Sequence, residues 1–442
     1  MRRATSPLLH NGRRLLAALV LLAAAGAAPA YAADWRLEPI AASEGVSELQ
    51  DLAFDADGRA LLGWSAGVLG GTPAAFGALA TRDPAGGWER PRDLDAIQPA
   101  TAQIHVIAPG RTLIVAQEAV TPANRRRLVF AEGRSDGSFG PLTGLDDFVA
   151  RHWSDANAAG DAIVAWNSER SPFLRVAERA AGQPFAAARE LAVGRTAAVA
   201  INDRGDRVLA WRAGPRLAAR VRSADGEWSN AARFGRLRNF QNLRLTALVA
   251  RNGRVVLTWG SVGRPCGVAV RNGAGRWHTR TLERRCGPTG ADPQGAPVLP
   301  VADGRGATYV AWTGYTRTGR RAVKFARVGT TRVRRPLVLS RERGSVLDDV
   351  AAGPRRALAI TYAAPRPTRV NPLIVATFAA LRRGGGGFEH DRLTPLGFAA
   401  RRGSRVAFHP LTAEPVVAIP FLIGLNVAVG AAVGPAAPIA AP

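Results

Sequence analysis

Lysine occurs once in the 442 residues, at Lys324, and cysteine twice, at Cys266 and Cys286. Two cysteines are too few for a disulfide scaffold or a cysteine-built zinc site. Histidine is nearly as scarce, and no pair stands at zinc-ligand spacing, so no metal is expected. With Phe325 after the lone lysine instead of Ser or Thr, a phosphate-binding loop is excluded, and no cofactor motif stands elsewhere. The chain also lacks long amphipathic stretches of helical period; its apolar residues come in short runs broken by 48 glycines and 30 prolines.

Positive charge is abundant and almost wholly arginine: 59 Lys plus Arg against 34 Asp plus Glu give a formal net charge of +25. A GC-rich genome favours arginine through its codons, while an anionic partner favours it for its planar guanidinium, and both readings stay open at this stage. Arg2, Arg3, Arg13 and Arg14 precede the apolar run Leu15–Ala25, and Ala30-Tyr31-Ala32 offers a small-x-small cleavage site. That layout predicts a secretory signal peptide over 1–32, its apolar part too short to span a bilayer. Arg13-Arg14 leaves the general and twin-arginine routes both open. An exported chain with an even cysteine count predicts a Cys266–Cys286 disulfide.

A hairpin recurs along the rest of the chain: an apolar strand, a turn with Gly and Asp or Asn, then Val, Leu, Ile and Ala closing on an aromatic. "LAFDADGRALLGW", "SDANAAGDAIVAW", "AVAINDRGDRVLAW", "ALVARNGRVVLTW" and "PVADGRGATYVAW" end at Trp64, Trp166, Trp211, Trp259 and Trp312. Weaker copies end at Gln117, Tyr362 and Ile419, so the markers fall 45 to 57 residues apart. A second marker, a Gly-rich turn with an aromatic, alternates with the first at Trp88, Phe139, Phe185, Trp228, Trp277 and Phe388. Each unit therefore reads as four strands, A to D, with the second marker joining C to D. A period near 50 with strand alternation is that of a propeller blade.

The expectation is an all-β, single-domain β-propeller over 33–442, with eight four-stranded antiparallel blades, or seven if a weak copy is no blade. An orphan D strand at 34–41 would complete an A–B–C set at the chain's end and close the ring, which removes open sheet edges. The uncharged stretch 416–435 is interrupted by Pro420, Gly424, Asn426 and Gly430, and reads as strands instead of a membrane anchor.

Three chemical motifs yield to the repeat. "GWSAG" (63–67) matches a nucleophile elbow at Ser65 but lacks the following helix. Arg204-Gly205-Asp206 occupies a turn where other blades carry "DADG" or "RNG". "DADG" and "NDRGD" lack the closing Glu of a calcium loop. "RSADGEW" (222–228) and "RSDGSF" (134–139) resemble the Asp-box turn of sialidase-like propellers, with Ser223, Asp225, Gly226 and Trp228 more tightly spaced than that motif. The chain is thus similar to secreted bacterial repeat propellers of that broad kind. The resemblance implies architecture; the arginine triad and nucleophilic tyrosine of sialidases have no counterpart motif here.

One distributed feature remains. All B–C loops of such blades project from one side of the disc, and here they carry Arg125, Arg126, Arg127, Arg170, Arg212, Arg216, Arg264, Arg317, Arg320, Arg321, Arg366 and Arg369. A rim of guanidiniums suits bidentate capture of carboxylate, sulfate or phosphate, with Asp146, Asp147, Asp348 and Asp349 in D–A loops as the acids that would neutralise it. The expected function is an exported, monomeric, non-catalytic propeller at the cell envelope that binds an anionic polymer, glycan or protein. The alternative is a sialidase-like hydrolase or lyase acting on an acidic glycan in the central funnel. Nucleic acid is disfavoured because aromatic platforms do not interleave with the arginines. Arg207, Arg254 and Arg355, in turns on the opposite face, are expected to matter little.

Overall fold

The computed structural model describes residues 35–435 apart from 43–45, 67–75, 95–97, 109, 121–124, 135, 238–242, 262, 288–297, 366–374, 385, 395–398, 401–402 and 424–425. The leader and the side chains of Arg125, Arg366 and Arg369 lie outside the described residues. The chain forms eight four-stranded antiparallel blades. Seven are continuous meanders over 46–94, 98–146, 149–193, 197–234, 244–283, 298–338 and 346–392. The eighth takes Arg405–Phe408, Pro415–Ile423 and Asn426–Val433 from one end of the chain and Arg36–Ala42 from the other. Their register runs from Arg36 opposite Val433 to Ala42 opposite Ala428. The eight-blade count and the closing strand are both as expected, and the stretch 416–435 is two strands of the last blade. Each inner strand also packs against the inner strands of both neighbours, and the eighth returns to the first. One irregularity was not foreseen: Ala399–Ala400 pairs with both Val375–Arg382 and Pro415–Ile423, fusing blades seven and eight into one sheet.

The recurring aromatic plugs the wedge between blades. Trp64, Trp166, Trp312 and Tyr362 are at most 1 % exposed, and each packs in a cluster with side chains of the preceding blade. Second strands such as Ala162–Ser168 are buried along nearly their whole length because a blade covers each face, which is why they read as continuous apolar runs. The indole N–H groups keep polar partners: Trp166 donates to Asp146 at 2.6 Å, and Trp35 of the closing strand to Asp391 of blade seven at 2.9 Å.

Ion pairs tie successive blades. The last residue of the third strand is Arg82 in blade one, Arg179 in blade three and Arg222 in blade four. Each reaches back to the preceding blade: Arg82 to Glu38 at 2.9 Å, Arg179 to Glu132 at 2.7 Å, and Arg222 to Glu178 at 2.7 Å. Burial pulls Glu38 upward, but Arg82 and Arg36 together more than offset it and hold the carboxyl below its usual range. Arg207, expected in a turn of the face opposite the B–C loops, begins the strand Arg207–Ala213, is buried and shares Glu178 at 3.4 Å, so it belongs to this set of latches.

Cys266 and Cys286 are bonded, with Cα atoms 5.8 Å apart. Cys266 lies opposite Glu283 across a register shift, and Cys286 stands three residues beyond in the D–A loop. The bond thus spans a bulge and the end of blade five.

Candidate functional site

On the B–C face the arginines meet different fates. Arg127 gives two hydrogen bonds to Glu118, at 2.9 and 2.6 Å, and Arg170 lies 3.3 Å over the Phe148 ring. Arg212 donates to the Gly214 carbonyl at 3.1 Å. Arg126, Arg216, Arg264, Arg317 and Arg320 are exposed with no ion pair among the described residues, and Arg321 is half-buried at the head of its strand. Arg264 stands in a cleft of about 350 Å³ shared with Arg236, Trp259, Arg280 and Thr281. No carboxylate lines it.

Of the acids expected to neutralise the rim, Asp147 stands in its D–A loop and acts on Arg127, and the others are engaged elsewhere. Asp146 is engaged by Trp166 and by Arg175 at 2.8 Å. Asp348 and Asp349 are not in a loop; they belong to the inner strand Val346–Ala352 and accept from Ser404 Oγ–H and Val406 N–H of the adjoining blade.

The inner strands around the ring axis carry a constellation that motif reading missed. Asp51, Asp155 and Asp349, on inner strands of blades one, three and seven, each accept from the next residue's N–H and from an N–H of the following blade. Their neighbours are Ile104, Ile201 and Val406. Gln103 repeats the device through its amide oxygen, which accepts Ser154 N–H at 2.7 Å and Ser154 Oγ–H at 2.8 Å. These side chains fasten one inner strand to the next, satisfying groups that a ring of bulged strands would leave unpaired. His105 Nε2 lies 2.7 Å from Ser154 Oγ, and Arg405 donates to the Gln50 carbonyl beside Asp51, Asp348 and Asp349.

Burial dominates the electrostatics here. It pushes Asp51 and Asp348 up to about 6 and Asp155 to about 7, and it holds His105 and His152 down to about 4. Asp51 also feels Arg405, which lowers it, and Asp349, which raises it. These acids and histidines lie on blades seven, one, two and three, with Arg405 on blade eight, and blade five brings Arg244 and Thr246. Blades four and six face the axis with Ala197–Ile201 and Val298–Ala302, which are apolar. Among the described residues no His, Cys, Asp or Glu group is arranged to hold a metal ion.

The turns opposite the B–C face are built by side chains capping backbone. Asn157 Oδ1 accepts from Ala159 and Asp161, and Asn202 Oδ1 from Arg204 and Asp206. Arg204 and Asp206 bond to each other, and Asn202 also donates to Asp206, so the Arg-Gly-Asp tripeptide is a closed turn with its charges spent. Ser65 sits inside strand Ala60–Ala66, and the next described element is the strand Phe76–Arg82.

No family model matches the chain, and no curated protein matches it. Solved structures similar to it include a polysaccharide lyase of family PL25, an ulvan lyase, at 11 % identity over 90 % of this chain and 95 % of that one, with a TM-score of 0.48. Another is the polysaccharide lyase Uly1, at 10 % identity over 94 % and 95 % and a TM-score of 0.43. A third is a mutant of the NanB sialidase from Streptococcus pneumoniae, at 10 % identity over 90 % and 70 % and a TM-score of 0.38. These likenesses are of architecture and carry no argument about what this chain binds.

Proposed function

We propose that this protein is an exported, non-catalytic propeller that binds an anionic envelope polymer or glycan across its B–C face. The observation that carries the reading is the cleft at Arg264, where three guanidiniums surround a hollow with no carboxylate in its lining. Arg280 is held by the Thr279 and Thr331 carbonyls, each at 2.9 Å, while Arg236 and Arg264 offer fork-shaped donors that match carboxylate, sulfate or phosphate. Arg126, Arg216, Arg317 and Arg320 extend the same charge to neighbouring blades. The disulfide suits an oxidising compartment, in keeping with export.

The test uses the chain without residues 1–32 and a panel of anionic polymers. Binding should weaken steeply as salt shortens the Debye length below about 8 Å. Replacing Arg126, Arg264, Arg317 and Arg320 together by Ser should weaken it at least about tenfold with little change in thermal stability, because exposed charges contribute little to folding. Undiminished binding by that variant refutes the rim.

The axial residues favour a second reading, a glycan-acting enzyme working in the central channel. The inner strands bring His105 beside Ser154 and His152, and Asp51 into the field of Arg405, Asp349 and Asp155. Their oxygens are occupied by backbone N–H groups of adjacent strands, which is why binding without catalysis is the preferred reading. Release of new sugar ends from an acidic glycan, abolished by His105→Ala, would reverse that preference.

A further inference from the structure

The latch between blades three and four, Glu178 with Arg222, can be matched by register to the other junctions, and at one of them the acid is replaced by an arginine. In blade three the third strand ends Glu178-Arg179, with Glu178 opposite Ile163 and Arg179 opposite Ala162, three and four residues before Trp166. In blade seven the residue equivalent to Arg179 is Arg382, opposite Leu358 and four before Tyr362. The residue of blade six equivalent to Glu178 is Arg327, opposite Tyr309 and three before Trp312. Where blades three and four meet as Glu178 and Arg222, blades six and seven meet as Arg327 and Arg382. The arginine of the latch is kept and its carboxylate is replaced by a second arginine.

That junction is open. A groove of about 640 Å³ runs along it, on the face opposite the B–C rim. Arg327, Arg334 and Arg335 line it from blade six, Arg356 and Arg382 from blade seven, and Arg254 and Arg305 from the A–B turns of blades five and six. None has an ion pair among the described residues. The single acid in the lining, Asp303, is used up: Oδ1 accepts from Arg305 N–H at 3.0 Å and Ala307 N–H at 2.9 Å, and Oδ2 from Tyr309 O–H at 3.2 Å.

Arg382 is pinned in place without being neutralised. Its guanidinium carbon lies 4.7 Å from the Tyr309 ring centre and 5.6 Å from that of Phe388, and its Nε is buried with no hydrogen-bond partner. Arg355 and Arg356, at φ 53° and 68°, make the tight A–B turn of blade seven, which sets Arg356 at the edge of the groove. Gly384 and Gly387 leave open space where side chains would stand, so a ligand can lie against the backbone. A second hollow of about 600 Å³ shares Asn252 and Arg254 with this groove and continues it toward blade four, where its lining includes Arg222 and Arg271 and two acids, Asp206, which is bonded to Arg204, and Glu227. There Arg271 occupies the arginine position of the latch, and Val221 stands where the acid would be.

We propose that this groove binds a carboxylated polysaccharide, a sugar carboxylate taking between Arg327 and Arg382 the place that Glu178 fills between blades three and four. An extended polymer fits the continuity of the two hollows. A peptide is less well served, because the outer strand of blade six is only Leu337–Val338 and offers no edge for strand addition. Nucleic acid lacks stacking platforms, since Tyr309 and Phe325 are buried and Arg382 covers them.

The decisive variant is Arg327→Glu, which restores the latch acid opposite Arg382. It should weaken binding of polygalacturonate at least tenfold, by titration calorimetry on the chain without residues 1–32, while the melting temperature holds or rises. Arg334→Ser with Arg335→Ser, both at exposed positions, should also weaken binding and serves if the first variant fails to fold. Poly-glutamate and single-stranded DNA should bind more weakly than polygalacturonate. Full binding by these variants, or equal binding of the other two polyanions, overturns the proposal. The B–C variant separates the two sites: loss there with Arg327→Glu unaffected leaves the rim standing and removes the groove, and the opposite pattern does the reverse.

Discussion

Replacing Glu38 by Gln should strip the ring closure of its ionic latch and lower stability by about 3–5 kcal/mol, the usual effect of leaving one partner of a buried pair uncompensated. Arg82 is 2 % exposed and places Nε and Nη2 on the Glu38 carboxylate at 2.9 and 3.1 Å. Two charge-assisted hydrogen bonds are each worth about 1.5–3 kcal/mol, and the guanidinium has no water to fall back on. Gln keeps the shape and one acceptor oxygen, so the loss is mainly that of charge. The other partner of Glu38, Arg36, is 65 % exposed, and Arg36→Gln should cost about 0–1 kcal/mol. Removing both buried charges by Arg82→Met with Glu38→Leu should recover much of the loss, since a packed apolar pair is often as stable as a buried ion pair. Chemical denaturation of the single and double variants reads all three numbers. A drop below about 1 kcal/mol for Glu38→Gln, or strict additivity in the double variant, would refute the latch as the reason that Arg36–Ala42 stays on the last blade.

Serine at both Cys266 and Cys286 should cost about 3 kcal/mol, the loop-closure value for a separation near 20 residues, read from thermal unfolding of oxidised and variant protein. The axial groups set a pH dependence with two opposing parts. Asp51, Asp155 and Asp348 keep protons in the fold that the unfolded chain releases near pH 4, so their contribution is full at low pH and is lost as pH rises to about 6–7. His105 and His152 refuse protons that the unfolded chain takes up below about 6.5, so their contribution is full above that value and is lost as pH falls to about 4. Asp155→Asn should therefore flatten the decline between pH 5 and 8, and His105→Gln should steepen it; the same sign for both would sink the assignment.

The sequence by itself determined the repeat, because the wedge between blades takes a buried aromatic in six of the eight copies, and a marker every 45 to 57 residues is visible without coordinates. It also determined the closure, since an orphan strand at one end and a missing one at the other have a single economical solution. The disulfide was legible for the same local reason: a three-residue offset across a turn needs only a bulge.

Tertiary structure alone decided the axis. Asp51 and Asp349 follow register shifts, between Leu49 and Asp51 and between Leu347 and Asp349, and one extra residue in a strand exchanges the faces on which later side chains lie. Two-residue alternation read from the chain therefore loses its phase just before each acid. The same limit placed Asp348 and Asp349 in a loop that the fold does not have there. Arg254 looked like an incidental turn residue, because the groove it lines is assembled from blades five, six and seven. Arg327 acquires meaning only when its register is matched to Glu178 and its neighbour across the junction proves to be Arg382. Charge in a sequence can be counted residue by residue, but whether a charge is answered depends on what the adjoining blade brings to it.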